Sequence, residues 1–324
     1  MTYCSKGTGI RVVEIKNHSA ITEFILVGLT NSPELQILLF WVFAFIYAIA
    51  LAANFLLLVT ISTFKKLHTP MYFLIFNLSL VNILSISVTI PRLLQSLLTH
   101  RKTISFYGCI AQVYFIIWAL GSELLLLSFM AFDRYAAICH PLHYTVRKEV
   151  CIGIATTVWI AGMMNSATHA GLMLQLSFCD SNVINHFFCD IPPVLDLACS
   201  DTSRNESMTM VSDVVFGIGS CGLTLTSYFF ILRTIFRIRS TEGKKKAFST
   251  CSSHLFVVSF YFFAIIYTYI RPSSVYSLDK DKFVSLLYSV VTPVVNPLIY
   301  SLRNKDFEEG MKMLTGNLRL LPRP

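Results

Sequence analysis

The chain has 324 residues, of which 54% are apolar and only 14% charged, and its net charge is +8. This composition points to a membrane protein and leaves no room for a separate soluble domain. The positive balance lies in the connections between apolar runs, as expected for a chain facing anionic lipid, and nothing in it suggests nucleic-acid binding.

A membrane-spanning helix needs about 20 predominantly apolar residues. Seven runs qualify, near 36–62, 71–98, 106–132, 151–174, 208–232, 247–270 and 283–302. With no repeat of fixed period, they predict an all-α membrane protein, a seven-transmembrane helix bundle. The division is 1–35 as an extracellular N-terminus, 36–302 as the bundle, and 303–324 as a cytoplasmic tail. The first 35 residues have no leading apolar core, so the first span is expected to act as the targeting signal. Orientation follows from Lys and Arg: sixteen fall on one set of connections and the tail, against nine on the other. The richer side faces the cytoplasm, which puts the N-terminus outside. In the tail, Phe307, Met311 and Leu314 recur at helical spacing among Lys305, Asp306, Glu308, Glu309 and Lys312, predicting a short amphipathic helix on the inner leaflet.

The third run ends in Asp133, Arg134 and Tyr135. A charge at a helix centre in lipid costs about 2.5–3.5 kcal/mol on insertion scales, so the triplet belongs at the cytoplasmic boundary. There the Asp can hold the Arg in a local ion pair that an arriving cytoplasmic partner would break. The plainer reading is an interfacial anchor.

Of nine cysteines, Cys139, Cys151, Cys221 and Cys251 fall in or beside the spans or on the inner side, while Cys4, Cys109, Cys179, Cys189 and Cys199 fall outside, where disulfides persist. Four outer cysteines allow three pairings, and spacing does not choose among them. Cys4 is the odd thiol. His186, close to Cys189, raises a metal site only if the cysteines stay reduced, so no metal is expected. Asn-x-Ser sequons occur at Asn17, Asn77 and Asn205; Asn77 is inside a span and Asn205 close to one, leaving Asn17 as the expected glycosylation site.

Four blocks carry a resemblance. They are Leu-His-Thr-Pro-Met-Tyr-Phe at 67–73, Met-Ala-Phe-Asp-Arg-Tyr-Ala-Ala-Ile-Cys-His-Pro-Leu-His-Tyr at 130–144, Lys-Ala-Phe-Ser-Thr-Cys-Ser-Ser-His-Leu at 246–255 and Pro-Val-Val-Asn-Pro-Leu-Ile-Tyr-Ser-Leu-Arg-Asn at 293–304. In this order, on these spans, the chain resembles the olfactory receptors from Thr-Glu-Phe-Ile-Leu-Val-Gly-Leu at 22–29 to the tail. The resemblance implies a rhodopsin-like G-protein-coupled receptor in the plasma membrane, without enzymatic activity or cofactor. Its implied partners are a small volatile odorant, membrane lipid and the olfactory stimulatory G protein, which raises cyclic AMP. It implies the disulfides Cys109–Cys189 and Cys179–Cys199. It also implies a G-protein switch of Asp133, Arg134 and Tyr135 with Tyr228, His254 and Tyr300, and a seventh-helix hinge at Asn296 and Pro297.

Helix geometry adds to this. Glu123 precedes Arg134 by eleven residues, about three turns or 16 Å, so both share a face with Ile116 and Leu120. Glu123 is therefore either functional or a neutral carboxyl bonding neighbouring helices. Asn82 stands where the family has an acid that helps hold sodium, so any cation would rely on Glu123 and sodium modulation should be weak. Ala53 replaces a usual Gly, and Phe262 replaces a Gly and should reshape the pocket floor. Counting from the motifs places the ligand pocket at Ile116, Ile117, Leu120 and Gly121, with Ser212, Asp213 and Phe216, then Tyr261, Ala264, Ile265 and Thr268, and finally Ser289. This lining suits a small, mostly hydrophobic ligand. Asp213 would either draw a basic or hydrogen-bond-donating ligand or, more plainly, be hydrated or neutralised by a neighbour. A transporter lacks its two related halves here, an enzyme its clustered catalytic groups, and an amine receptor the usual acid at the level of Ile116.

Overall fold

The computed structural model describes residues 21–99, 102–141, 148–179, 181–238, 240–269, 278–302 and 305–319. Asn17 and Cys4 lie outside these residues, as do the side chains of Tyr300 and Lys246.

The apolar runs fold as helices. The first spans Pro33–Thr63, the second Pro70–Thr99, the third Phe106–Cys139 and the fourth Lys148–Met173. The fifth runs through Ser203–Arg237 and the sixth covers Thr241–Tyr269. The seventh is Leu278–Leu286, a π-helical turn Leu287–Val291 and Thr292–Leu302. Six of these are long and apolar enough to cross a membrane, and the sixth in chain order contributes the shorter apolar stretch His254–Thr268. The protein is thus a seven-helix membrane bundle.

Several ends differ from expectation, because backbone hydrogen bonding does not stop where lipid stops. The third helix continues past Asp133 to Cys139, so the Asp-Arg-Tyr triplet sits inside a helix rather than at its end. Ser105 begins that helix by accepting the Gly108 N–H at 3.1 Å, which satisfies one of the free amides of the first turn. The fifth helix holds a π-helical segment, Asp213–Gly219, that rotates its outer half relative to its inner half.

The face that bears the N-terminal segment, the outer one by the charge bias of the sequence, carries a feature absent from the sequence reading. Three short strands, β1 (Glu23–Leu26), β2 (Thr103–Ser105) and β3 (Val183–Ile184), form a sheet in the order β2-β1-β3. β1 pairs antiparallel with β2, Glu23 opposite Ser105, and parallel with β3, Ile25 opposite Val183. Fully buried Phe24 anchors it, meeting Phe178 edge-on at 5.3 Å. Disulfides Cys109–Cys189 and Cys179–Cys199 fix the loop between helices four and five to the third helix and to itself.

The third helix is the hub. Its contact with the fourth is so close that a Cβ on Gly162 would lie 2.6 Å from Ser122 Oγ and 3.1 Å from the Trp118 carbonyl. Trp118 Nε1 donates to Trp159 O at 3.1 Å, Trp159 Nε1 to Asn77 Oδ1 at 3.0 Å, and Ser166 Oγ to Tyr114 O. Asn77 is therefore a structural residue inside the bundle, as its place in a span required. The tail forms the expected helix, Lys305–Arg319, with Phe307 buried and Lys66 Nζ paired to Glu309 at 3.0 Å.

Candidate functional site: an outer cavity above an inner switch

A small cavity of about 40 Å³ opens between helices three, four and five in the outer half of the bundle. Helix three contributes Ile117, Leu120, Gly121 and Leu124, helix four Asn165 and His169, and helix six Ile265. Thr209, Ser212, Asp213, Phe216 and Gly217 come from helix five. Gly121 leaves room for Phe216, whose ring would lie 3.3 Å from any Cβ there.

Seven of the twelve expected pocket residues line this cavity: Ile117, Leu120, Gly121, Ser212, Asp213, Phe216 and Ile265. The other five are buried elsewhere. Ile116, one residue and about 100° around the helix from Ile117, packs into the main core with Tyr261 and Ala264. Thr268 Oγ1 bonds back to Ala264 O at 2.9 Å and Ser289 Oγ to Ser285 O at 2.6 Å. Sequence reasoning missed Asn165 and His169, although two polar residues four apart in an apolar span already mark one helix face. They join the fifth helix directly: Ser212 Oγ donates to Asn165 Oδ1 at 2.6 Å and lies 2.9 Å from His169 Nε2.

The outer loop roofs the bundle. Ile191, on the short helix Ile191–Leu195, closes the cavity from above. Cys189 N–H donates to Gln112 Oε1 at 2.9 Å, and Tyr288 OH to Asp190 Oδ2 at 2.9 Å. His186 is buried against Phe187 and Phe188, its Nε2 3.3 Å from Ser285 Oγ. Burial holds the imidazole at a pKa of about 3; the Phe188 carbonyl partly offsets this and the Lys282 charge adds to it.

Beneath the cavity lies a chain of buried amides. Asn54 Nδ2 donates to Pro293 O at 2.9 Å, Asn82 Nδ2 to Asn54 Oδ1 at 3.2 Å, and Asn296 Nδ2 to Glu123 Oε1 at 3.0 Å and, more weakly, to Asn82 Oδ1 at 3.4 Å. Glu123 also meets the Tyr261 side chain. Asn82 thus spends its amide within the network, and Glu123 is its only carboxylate among the described residues. Pro297 sits inside the seventh helix, where it removes a backbone hydrogen bond next to Asn296.

At the inner end, Arg134 Nη2 lies 3.7 Å from Asp133 Oδ2, the local ion pair expected from the sequence. Tyr228 OH is 2.6 Å from His254 Nδ1, joining helices five and six, and also donates to Cys251 O at 3.4 Å. Tyr135 OH meets His140 Nε2 at 3.1 Å and its ring packs on Phe230. Helix three is bound to helix five midway, Ser128 Oγ donating to Ser220 O at 3.0 Å.

Comparisons with known proteins agree with this architecture. A family profile described as "Olfactory receptor" matches residues 43–316. Human olfactory receptor 13A1 is 48% identical over 302 residues, covering 93% of this chain and 92% of the relative. Human olfactory receptor 13G1 is 45% identical over 94% of this chain and 99% of its own length. Mouse olfactory receptor 5AR1 is 44% identical over 93% and 98% respectively. With an apolar outer cavity, a seven-helix bundle and this similarity along nearly its whole length, the chain is a multi-pass membrane protein of the olfactory receptor family and not an enzyme.

Proposed function

We propose that the protein is an odorant receptor of the plasma membrane that binds a small, mostly hydrophobic volatile in the outer cavity and activates the olfactory stimulatory G protein, raising cyclic AMP. The observation that carries this reading is the shared framework: helices three, five and six line the cavity and also hold the Asp133–Arg134 pair and the Tyr228–His254 bond. A ligand settling between Leu120, Phe216 and Ile265 changes how these helices pack. It shifts the bundle only if it binds the open form more tightly than the closed one. Opening separates helix six from helix five at Tyr228 and His254 and frees Arg134 for the G protein. Arg233, Arg237, Lys244 and Lys245 give the dock a basic rim. The N-terminus lies outside, following the excess of positive residues on the opposite face.

The test is a cyclic AMP reporter in cells co-expressing the olfactory stimulatory G protein, screened with small volatiles, with Arg134→Ala as control. A dose-dependent response lost in the variant at equal surface expression supports the reading. A response that survives Arg134→Ala refutes the assigned switch.

A further inference from the structure

Resting on that reading, we infer that the ligand class is a small amphiphilic amine, its cationic head on Asp213 and its hydrocarbon body against the third and sixth helices. Hydrogen-bond accounting in the cavity leads there. Ser212 has one hydroxyl hydrogen and gives it to Asn165 Oδ1. It can only accept from His169, so His169 Nε2 carries a hydrogen that is spent on Ser212. Thr209 gives its hydrogen to Asn205 O at 2.9 Å. The hydroxyl hydrogens of the polar wall are therefore used inside the wall.

What the wall leaves open to the cavity is the Asn165 amide N–H and one acidic acceptor. Asp213 is half-buried and lines the cavity, and its carboxylate has no hydrogen bond or ion pair among the described residues. No Lys or Arg lines the cavity among those residues. A carboxylic acid would face Asp213 without a counter-charge. A purely apolar ligand would leave the carboxylate partly desolvated and unpaired, which is costly. An alkylammonium supplies both the charge and the donors. The apolar lining, Ile117, Leu120 and Leu124 of the third helix with Phe216 and Ile265, is hydrocarbon and accepts the tail. The enclosed space is only about 40 Å³, so a ligand enters by parting the Phe216 and Ile265 side chains, which favours a short chain.

The experiment compares hexylamine with hexanol, hexanal and hexanoic acid in the cyclic AMP assay, using wild type, Asp213→Asn and Asp213→Glu at matched surface expression. Receptor-free cells control for direct effects of the amine. The expected result is activation by the amine, a loss of potency of about 10- to 100-fold in Asp213→Asn, and retention in Asp213→Glu. Hexanoic acid should be inactive. Response to the alcohol or aldehyde without response to the amine, or an amine response unchanged in Asp213→Asn, overturns the amine assignment and leaves the odorant-receptor reading intact. Silence to these probes and to a broad volatile panel, with normal surface expression, overturns both.

Discussion

Acidification of the outer face should loosen the lid over the cavity, through His186. The imidazole is buried between the Phe187 and Phe188 rings and bonded toward Ser285. Around it lie Lys282, engaged with Asn185, and Asp190 and Tyr288, engaged with each other. Its pKa is about 3 in the folded protein and about 6.5 in an unfolded chain. Between these values the unfolded state binds more protons, so stability is fully present above about pH 6.5 and falls as pH drops. Going from about pH 7.4 to about 5.5 removes roughly 1.3 kcal/mol, the two-state binding difference for one site with those pKa values. The assay is thermal unfolding of the purified receptor in lipid nanodiscs at both pH values, for wild type and His186→Gln. Wild type should lose about 2 °C more than the variant on acidification. An equal loss in both would refute the reasoning, since it would mean that His186 is not the group that titrates.

Other consequences follow from the same packing. Gly162→Ala forces a methyl into Ser122 and the Trp118 carbonyl and should cost about 1–3 kcal/mol, read as a lower melting temperature and reduced surface expression. Tyr228→Phe removes the hydroxyl that joins His254 and the Cys251 carbonyl. It should change basal cyclic AMP and lower maximal agonist response without moving ligand affinity, and a pure affinity change would count against the switch. Replacing sodium by an organic cation should leave agonist potency unchanged, because Asn82 supplies an amide already engaged with Asn54 where a second carboxylate would be needed. A clear potency shift would show that Glu123 alone suffices to hold the ion.

Much of this architecture is legible in the chain itself. Apolar runs long enough to span lipid produced the seven helices, and the amphipathic spacing of Phe307 and Met311 produced the tail helix. Helix ends were less legible: helix three runs on to Cys139 because hydrogen bonding continues into the aqueous boundary. The outer sheet was not foreseen, since its strands are only two to four residues long and come from segments far apart in sequence. Only tertiary contact brings Ile25 beside Val183. Around the cavity, counting residues does not set the rotation of each helix, so the expected lining divides between the cavity wall and the surrounding core. One position separates Ile117, which lines the cavity, from Ile116, which packs into the core. The π-helical segment from Asp213 adds a further phase shift that no regular helix count includes. Asn165 and His169 lie on the fourth helix, which carries none of the four motif blocks, and only packing against Ser212 brings them to the cavity.

The most direct measurement of ligand action through the outer cavity is an agonist dose-response in Gly121→Leu, set against wild type at matched surface expression. The added side chain collides with Phe216 and fills the space that the ligand needs. Loss of the cyclic AMP response, with the receptor still at the cell surface and basal signalling intact, is the expected result. An unchanged potency would place the ligand elsewhere and contradict the coupling of this cavity to the Arg134 switch.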